Sequence, residues 1–222
     1  MLNRLVVLIS AGLILSCGAT SAVHTANAVV PEDRGFITGA NGGPVTPRRV
    51  PIQVIADNSI DSAVLLEVLH HLERVSRSPN LFVYAGRRTV ERYATGELAP
   101  VRGAIVIQTG ALRYPTIGET LTRYSRATGA IFASTITIST AVTSDPLKYK
   151  LVLMHEVMHA LGLEHDLASE SLRSIMEPYY RPNGRVTAGD ATRIRGIVRE
   201  ATRHAGDLMD FGELVTVRQI CH

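Results

Sequence analysis

Apolar positions along the chain fall into short runs with two different periods. Val50 to Ala56 (VPIQVIA) is a compact apolar run that predicts a strand. Asp57, Asn58 or Ser59 then caps a helix in which Ile60, Val64, Val68, Leu72 and Val75 recur at about helical spacing. Ser78-Pro79-Asn80 closes that segment, and Leu81 to Ala85 begins a second strand. Ala104 to Gln108 is short and continuously apolar, as a buried strand should be. Glu119 to Tyr124 and Ile131 to Thr140 predict two more strands, with Ala127-Thr128-Gly129 turning between them. In the last, Ile136 and Ile138 alternate with Thr135, Thr137 and Ser139, a half-buried pattern.

The second half of the chain is helical by its caps. Asp145 at the cap and Pro146 at the first helical position open a helix that runs to about Leu161 and stops at Gly162. Thr187-Ala188-Gly189-Asp190 resembles a capping box with Asp for Glu, and Ile194, Ile197, Val198 and Ala201 then share one face. Arg193, Arg195, Arg199 and Arg203 fall largely off that stripe, which makes them a solvated face. His70 and His71 are neighbours on the first helix and point about 100° apart, so they cannot chelate one metal together. Residues 29–49 hold three Pro and four Gly with no hydrophobic period, and read as a linker or short pro-segment.

Composition narrows the class. The chain has 222 residues, 45% of them hydrophobic, which suits one globular domain over residues 50–222. The net charge is +3 and the basic residues are spread along the chain, so no nucleic-acid partner is expected. Arg4, the apolar run Leu5 to Leu15 and Ala26-Asn27-Ala28 predict a signal peptide over residues 1–28. The product would be secreted to the extracellular space or the periplasm, with no transmembrane helix once the signal is removed. The apolar run is broken by Ser16, Gly18, Thr20 and Ser21, and falls short of the roughly 20 residues a span needs. Ile14-Leu15-Ser16-Cys17 loosely resembles a lipobox, and the alternative is a lipoprotein anchored through Cys17. Cys221 has no intramolecular partner after cleavage at Ala28, and reads as a thiol without particular function.

The chemistry lies in His155-Glu-Val-Met-His159-Ala-Leu-Gly162-Leu-Glu-His165-Asp166. Residues four apart on a helix lie one turn above each other, so His155 and His159 present two nitrogens to one point. Gly162 lets the chain turn away from the helix, and His165 can then swing under the metal. Three neutral nitrogens leave a fourth position for water, the catalytic rather than structural arrangement of a single Zn²⁺. Glu156 leans over the open side, where it can take a proton from zinc-bound water as the catalytic base.

This stretch matches the metzincin signature H-E-x-x-H-x-x-G-x-x-H, and Ser174-Ile175-Met176-Glu177-Pro178-Tyr179 resembles its Met-turn. Asp166 after the third His and Pro178 two residues after Met176 look like the matrixin branch, in a minimal, bacterial-type form. The resemblance covers roughly residues 50–203. It implies an α+β catalytic domain with a twisted mixed sheet, two long helices and a small C-terminal subdomain below the cleft. It also implies that Met176 forms a hydrophobic base beneath the ligands, and that Pro178, Tyr179 and Tyr180 line the substrate-pocket wall. The strand near Glu119 to Tyr124 would be the edge on which a protein or peptide substrate lies extended. No Cys-bearing pro-segment motif precedes the domain, so latency by the family's cysteine switch is not expected. No His falls between His71 and His155 that could serve that family's second zinc site.

The function these residues support is zinc-dependent endopeptidase chemistry. A non-catalytic zinc-binding module and a narrow-specificity exopeptidase are the alternatives. Glu156 argues against the first, because a binding module needs no base there. The second needs a charged anchor for a substrate terminus, and none is identifiable. For export, mass spectrometry of the mature protein should find Val29 as the first residue. A lipidated Cys17 in that place would establish the lipoprotein instead.

Overall fold

Residues 36–40, 42–166, 174–204 and 212–222 are described by the computed structural model; the signal segment, Cys17 and residues 29–35 lie outside them. The elements in chain order are β1 (Thr46–Pro47), β2 (Ile52–Ala56), α1 (Ser62–Ser76), β3 (Phe82–Arg87), β4 (Ala104–Gly110), β5 (Gly118–Ser125) and β6 (Ala130–Ser139). Then follow α2 (Pro146–Ala160), α3 (Ala188–His204) and β7 (Leu214–Cys221). The strands form one mixed sheet in the order β3-β2-β4-β6-β5-β7, with β1 added beside β6. β1 and β4 run parallel to β6, and β2 runs parallel to β3 and β4; β5 is antiparallel to β6 and β7. The fold is α+β with a mixed sheet, as expected.

One sheet face carries the main core. Ile52, Val54, Ile105, Ile107, Ile136 and Ile138 join apolar residues of α1, α2 and α3 there. A smaller cluster of Ile55, Val90, Leu98, Ala104 and Val106 covers part of the other face. No described helix is long and apolar enough to cross a membrane.

The caps show how local chemistry sets the helix ends. The α1 cap is Asp61, whose side chain accepts from the N–H groups of Ala63 and Val64 at 2.8 and 3.2 Å. The expected cap at Asp57–Ser59 is instead a turn, in which Asp57 accepts from the Ser59 N–H at 3.0 Å. The α2 start is as read: Asp145 accepts from the Lys148 N–H at 3.0 Å and Pro146 follows it.

Two segments behave differently from expectation. The stretch read as linker or pro-segment packs on the domain from Phe36 onward. Ile37 and Val45 are buried, and the Ile37 N–H donates to the Gly162 carbonyl at 2.7 Å. Such isolated apolar residues among Gly and Pro carry no period, so the pattern could not show them. The second is a correction: the Glu119–Tyr124 strand is not a free edge. β7 pairs with β5 along its whole length, from Gly118 opposite Cys221 to Ser125 opposite Leu214. Arg218 pairs with Glu119 at 3.0 Å across that seam, and Gln219 and Cys221 are buried in it.

Gly162 joins the early segment to the end of α2. Its φ is +98°, and a Cβ there would lie 2.1 Å from the Val45 carbonyl oxygen. Gly162→Ala should therefore destabilise the protein by about 2 kcal/mol or more. Gly196→Ala is the opposite control, because a Cβ there meets only Phe36 at 3.8 Å. Placed inside a helix, that change should stabilise by roughly 0.5–1 kcal/mol. Thermal melts of both variants should move in opposite directions.

Candidate metal centre

Residues Val152 to Ala160 of α2 are buried on every side, which makes it a central helix rather than a surface one. His155 and His159 lie one turn apart in it, at 2% and 0% exposure. The His155 Nδ1–H donates to the Ile175 carbonyl at 2.6 Å, and the His159 Nδ1–H donates to the Leu163 carbonyl at 2.7 Å. A carbonyl can only accept, so each ring carries its proton on Nδ1 and offers an Nε2 lone pair. After the turn at Gly162, His165 brings its Nε2 to 3.1 Å from that of His159 and 3.3 Å from that of His155.

The donor set fits zinc. Nitrogens at 2.0–2.1 Å from a tetrahedral Zn²⁺ lie roughly 3.3 Å apart. Three lone pairs at this spacing repel one another unless a cation lies between them. Burial pushes His155 and His165 down to about 4, with nearby histidines adding to the effect, and holds His159 well below its usual value. All three rings are therefore neutral at ordinary pH, the form that binds metal.

Glu156 is fully buried against β5. One carboxylate oxygen, Oε2, accepts from the Thr120 hydroxyl at 2.6 Å, while Oε1 has no hydrogen-bond partner among the described residues. Gly118 makes room for this side chain, since a Cβ there would lie 2.3 Å from Oε1. Burial raises the carboxyl to about 8, against the hydrogen bond from Thr120, which lowers it. The Cys221 sulfur, a His155 ring nitrogen and a Glu156 carboxylate oxygen all fall within 4.8 Å of one another, a group that does not include His159 or His165. Sequence reading missed Gly118 and Thr120, whose contacts cross some 36 residues with no local signature, and gave Cys221 no role.

The Met-turn is tied to α3. Met176 is fully buried, and its carbonyl accepts from the Asp166 N–H at 2.9 Å. Ser174 accepts from the Met176 N–H and donates to Asp190, both at 3.0 Å. Asp190 also accepts from the Thr187 N–H at 2.8 Å, completing the capping pair read from the sequence. Arg193 binds Asp190 and reaches Asp166 at 3.5 Å, so α3 clamps both loops that carry the site. Beyond the turn, Pro178 accepts from the His222 N–H at 3.1 Å and the Tyr180 N–H donates to the His222 carbonyl at 2.8 Å. Tyr179 and Tyr180 share a recess of only about 10 Å³ with His155 and Cys221.

Three converging imidazoles beside a buried carboxylate make a set that could hold a metal ion. Residues 94–197 match the matrixin family (peptidase M10), which supports a matrixin-like zinc metallopeptidase. No curated protein matches it in sequence. Among solved structures, the GM1-bound form of the ECX AB5 holotoxin is 13% identical, covering 74% of this chain and 87% of that one, with a TM-score of 0.46. Archaemetzincin from Methanopyrus kandleri is 12% identical, covering 79% and 98%, with a TM-score of 0.35.

The raised Glu156 carboxyl has a consequence for the metal-free protein. A folded value above the unfolded one stabilises the fold fully below about 4.5, and that contribution is lost as pH rises through about 8. Glu156→Gln should remove this decline. Melting chelator-treated parent and variant across pH 4–9 checks it: equal slopes in that window would contradict the burial argument.

Proposed function

We propose that the chain is a zinc-dependent endopeptidase that hydrolyses peptide bonds in protein substrates, with zinc on His155, His159 and His165 and Glu156 as the base. The observation that carries this reading is the convergence of three Nε2 atoms at 3.1–3.3 Å beside one buried carboxylate. Zinc bound there would supply Lewis acidity toward the scissile carbonyl and acidify water. The Thr120 hydroxyl holds Oε2 of Glu156, which leaves Oε1 to accept the proton of the attacking water. Glu156 then passes that proton to the leaving amine. A carboxyl drawn up by burial suits this second step, because it holds a proton near neutral pH long enough to deliver it; a bound cation lowers its value.

Met176 supports the ligands from the core, and Pro178, Tyr179 and Tyr180 form the wall beside the scissile bond. Among the described residues the fully buried acids are Glu156 and Asp190, and Asp190 is engaged by Ser174, Thr187 and Arg193. The export-type segment over residues 1–28 supports action outside the cytoplasm.

Glu156→Ala should keep zinc and fold but cleave peptides about 10²–10⁴-fold more slowly. His165→Ala removes a ligand, so zinc content and activity should fall together. Metal analysis and cleavage of a proteome-derived peptide library, run on both variants and the parent, test the assignment. A Glu156→Ala protein that cleaves as fast as an active parent would overturn it.

A further inference from the structure

A cavity opens where β6 changes partners. β5 holds one edge of β6 from Ile131 to Ile138, so β1 and β4 share the other edge in succession. β1 takes Ala130 and Ile131, and β4 takes Ser134 to Ser139. Phe132 and Ala133 fall between the two, where the Gly103 N–H donates to the Phe132 carbonyl at 2.7 Å. The chain segments flanking this gap are basic: Arg48 and Arg49 follow β1, and Arg102 comes just before β4.

The cavity has a volume of about 270 Å³. Its buried lining is apolar, from Ile52, Ile105, Ile131, Ala133 and Ala160. Ser134 is the polar exception, and its hydroxyl already donates to the Ala160 carbonyl at 3.2 Å. The deep part therefore offers a ligand apolar contact, and the charge lies nearer the mouth. Arg48 is half-buried, whereas Arg49 and Arg102 are exposed. The Arg49 guanidinium lies over the start of β4, since its Nη2 would be 3.6 Å from a Cβ at Gly103. Three guanidinium groups and no carboxylate line the space. Guanidinium matches a carboxylate or a phosphate with paired N–H donors. At roughly 30 Å³ for a water-sized group, the volume takes about nine such groups, a short chain and its head.

We propose that this cavity binds a small amphipathic anion. The apolar tail sits on Ile52, Ile105 and Ile131, and a carboxylate or phosphate head is held by Arg48, Arg49 and Arg102. None of His155, Glu156, His159 and His165 lines the cavity, so the site is separate from the metal centre and stands without the peptidase reading.

The test is calorimetric titration of the full chain, zinc-loaded and chelator-treated, with butanoate, hexanoate, octanoate, octyl phosphate, octanol and inorganic phosphate. Affinity should rise about fourfold for each methylene buried between butanoate and octanoate. Octanol lacks the head and inorganic phosphate lacks the tail, so each should bind at least about tenfold more weakly than octyl phosphate. An Arg49→Gln/Arg102→Gln variant, altered only at exposed positions, should melt like the parent and lose at least about tenfold in octanoate affinity. Octanoate and octyl phosphate that bind no better than octanol overturn the proposal, and so does an affinity that is flat from butanoate to octanoate. Binding that chelator abolishes and the arginine substitutions leave unchanged belongs to the metal centre and overturns it as well. Capture on phosphatidylglycerol vesicles without binding of the free amphiphiles would make the arginines a membrane-facing patch instead.

Discussion

Two ring N–H groups, those of His155 and His159, each donate to a backbone carbonyl, and the geometry of the metal centre follows from those two bonds. Each bond fixes which nitrogen holds the proton and which way the lone pair points. Losing an orienting bond of this kind typically weakens metal affinity by about 10–100-fold. The acceptors belong to different loops, so both loops must return to α2. Leu163 returns because Gly162 takes a φ that other residues avoid. Ile175 returns because Ser174 is bonded to Asp190, the capping residue of α3. A helix cap nearly 35 residues from His155 is thereby part of the support for that ligand.

Glu156 answers to a different constraint. A carboxylate in a helix buried on every side has to find space and a donor, and β5 provides both. Gly118 gives the space by lacking a side chain, and Thr120 gives the donor. Only one oxygen is satisfied, and an unsatisfied buried carboxylate oxygen is costly. The base role proposed for Glu156 would account for that cost, since the second oxygen then has to stay available for a proton.

The features legible in the sequence were those written within one or two helical turns. His155, His159, Gly162 and His165 are set by spacing alone. Asp145-Pro146 and Thr187–Asp190 announce helix starts through their own side chains. Ile136 and Ile138 show their buried face by alternation. What escaped was decided by distant partners. Leu214 to Cys221 buries residues only toward its end, and its pairing with Gly118–Ser125 spans about a hundred residues. Asp57 could have capped α1 as well as Asp61 by composition, and the turn it makes with Ser59 selected between them. Gly118 and Thr120 gave no signal at all, because their role exists only once β5 lies against α2.

Strand β7 ties the sheet edge to the metal centre. An uncovered β5 would present a long unpaired backbone, which invites aggregation, and β7 covers it along its whole length. Its backbone pairing is joined by side chains, with Arg218 paired to Glu119 at 3.0 Å and Val215 and Val217 packed on a buried cluster. A second side-chain bond reaches the metal centre. The Gln219 amide donates at 2.8 Å to the Leu163 carbonyl, the same oxygen that receives the His159 Nδ1–H. That carbonyl therefore serves both β7 and a histidine of the candidate metal centre, so the packing of the last strand and the orientation of His159 depend on one atom.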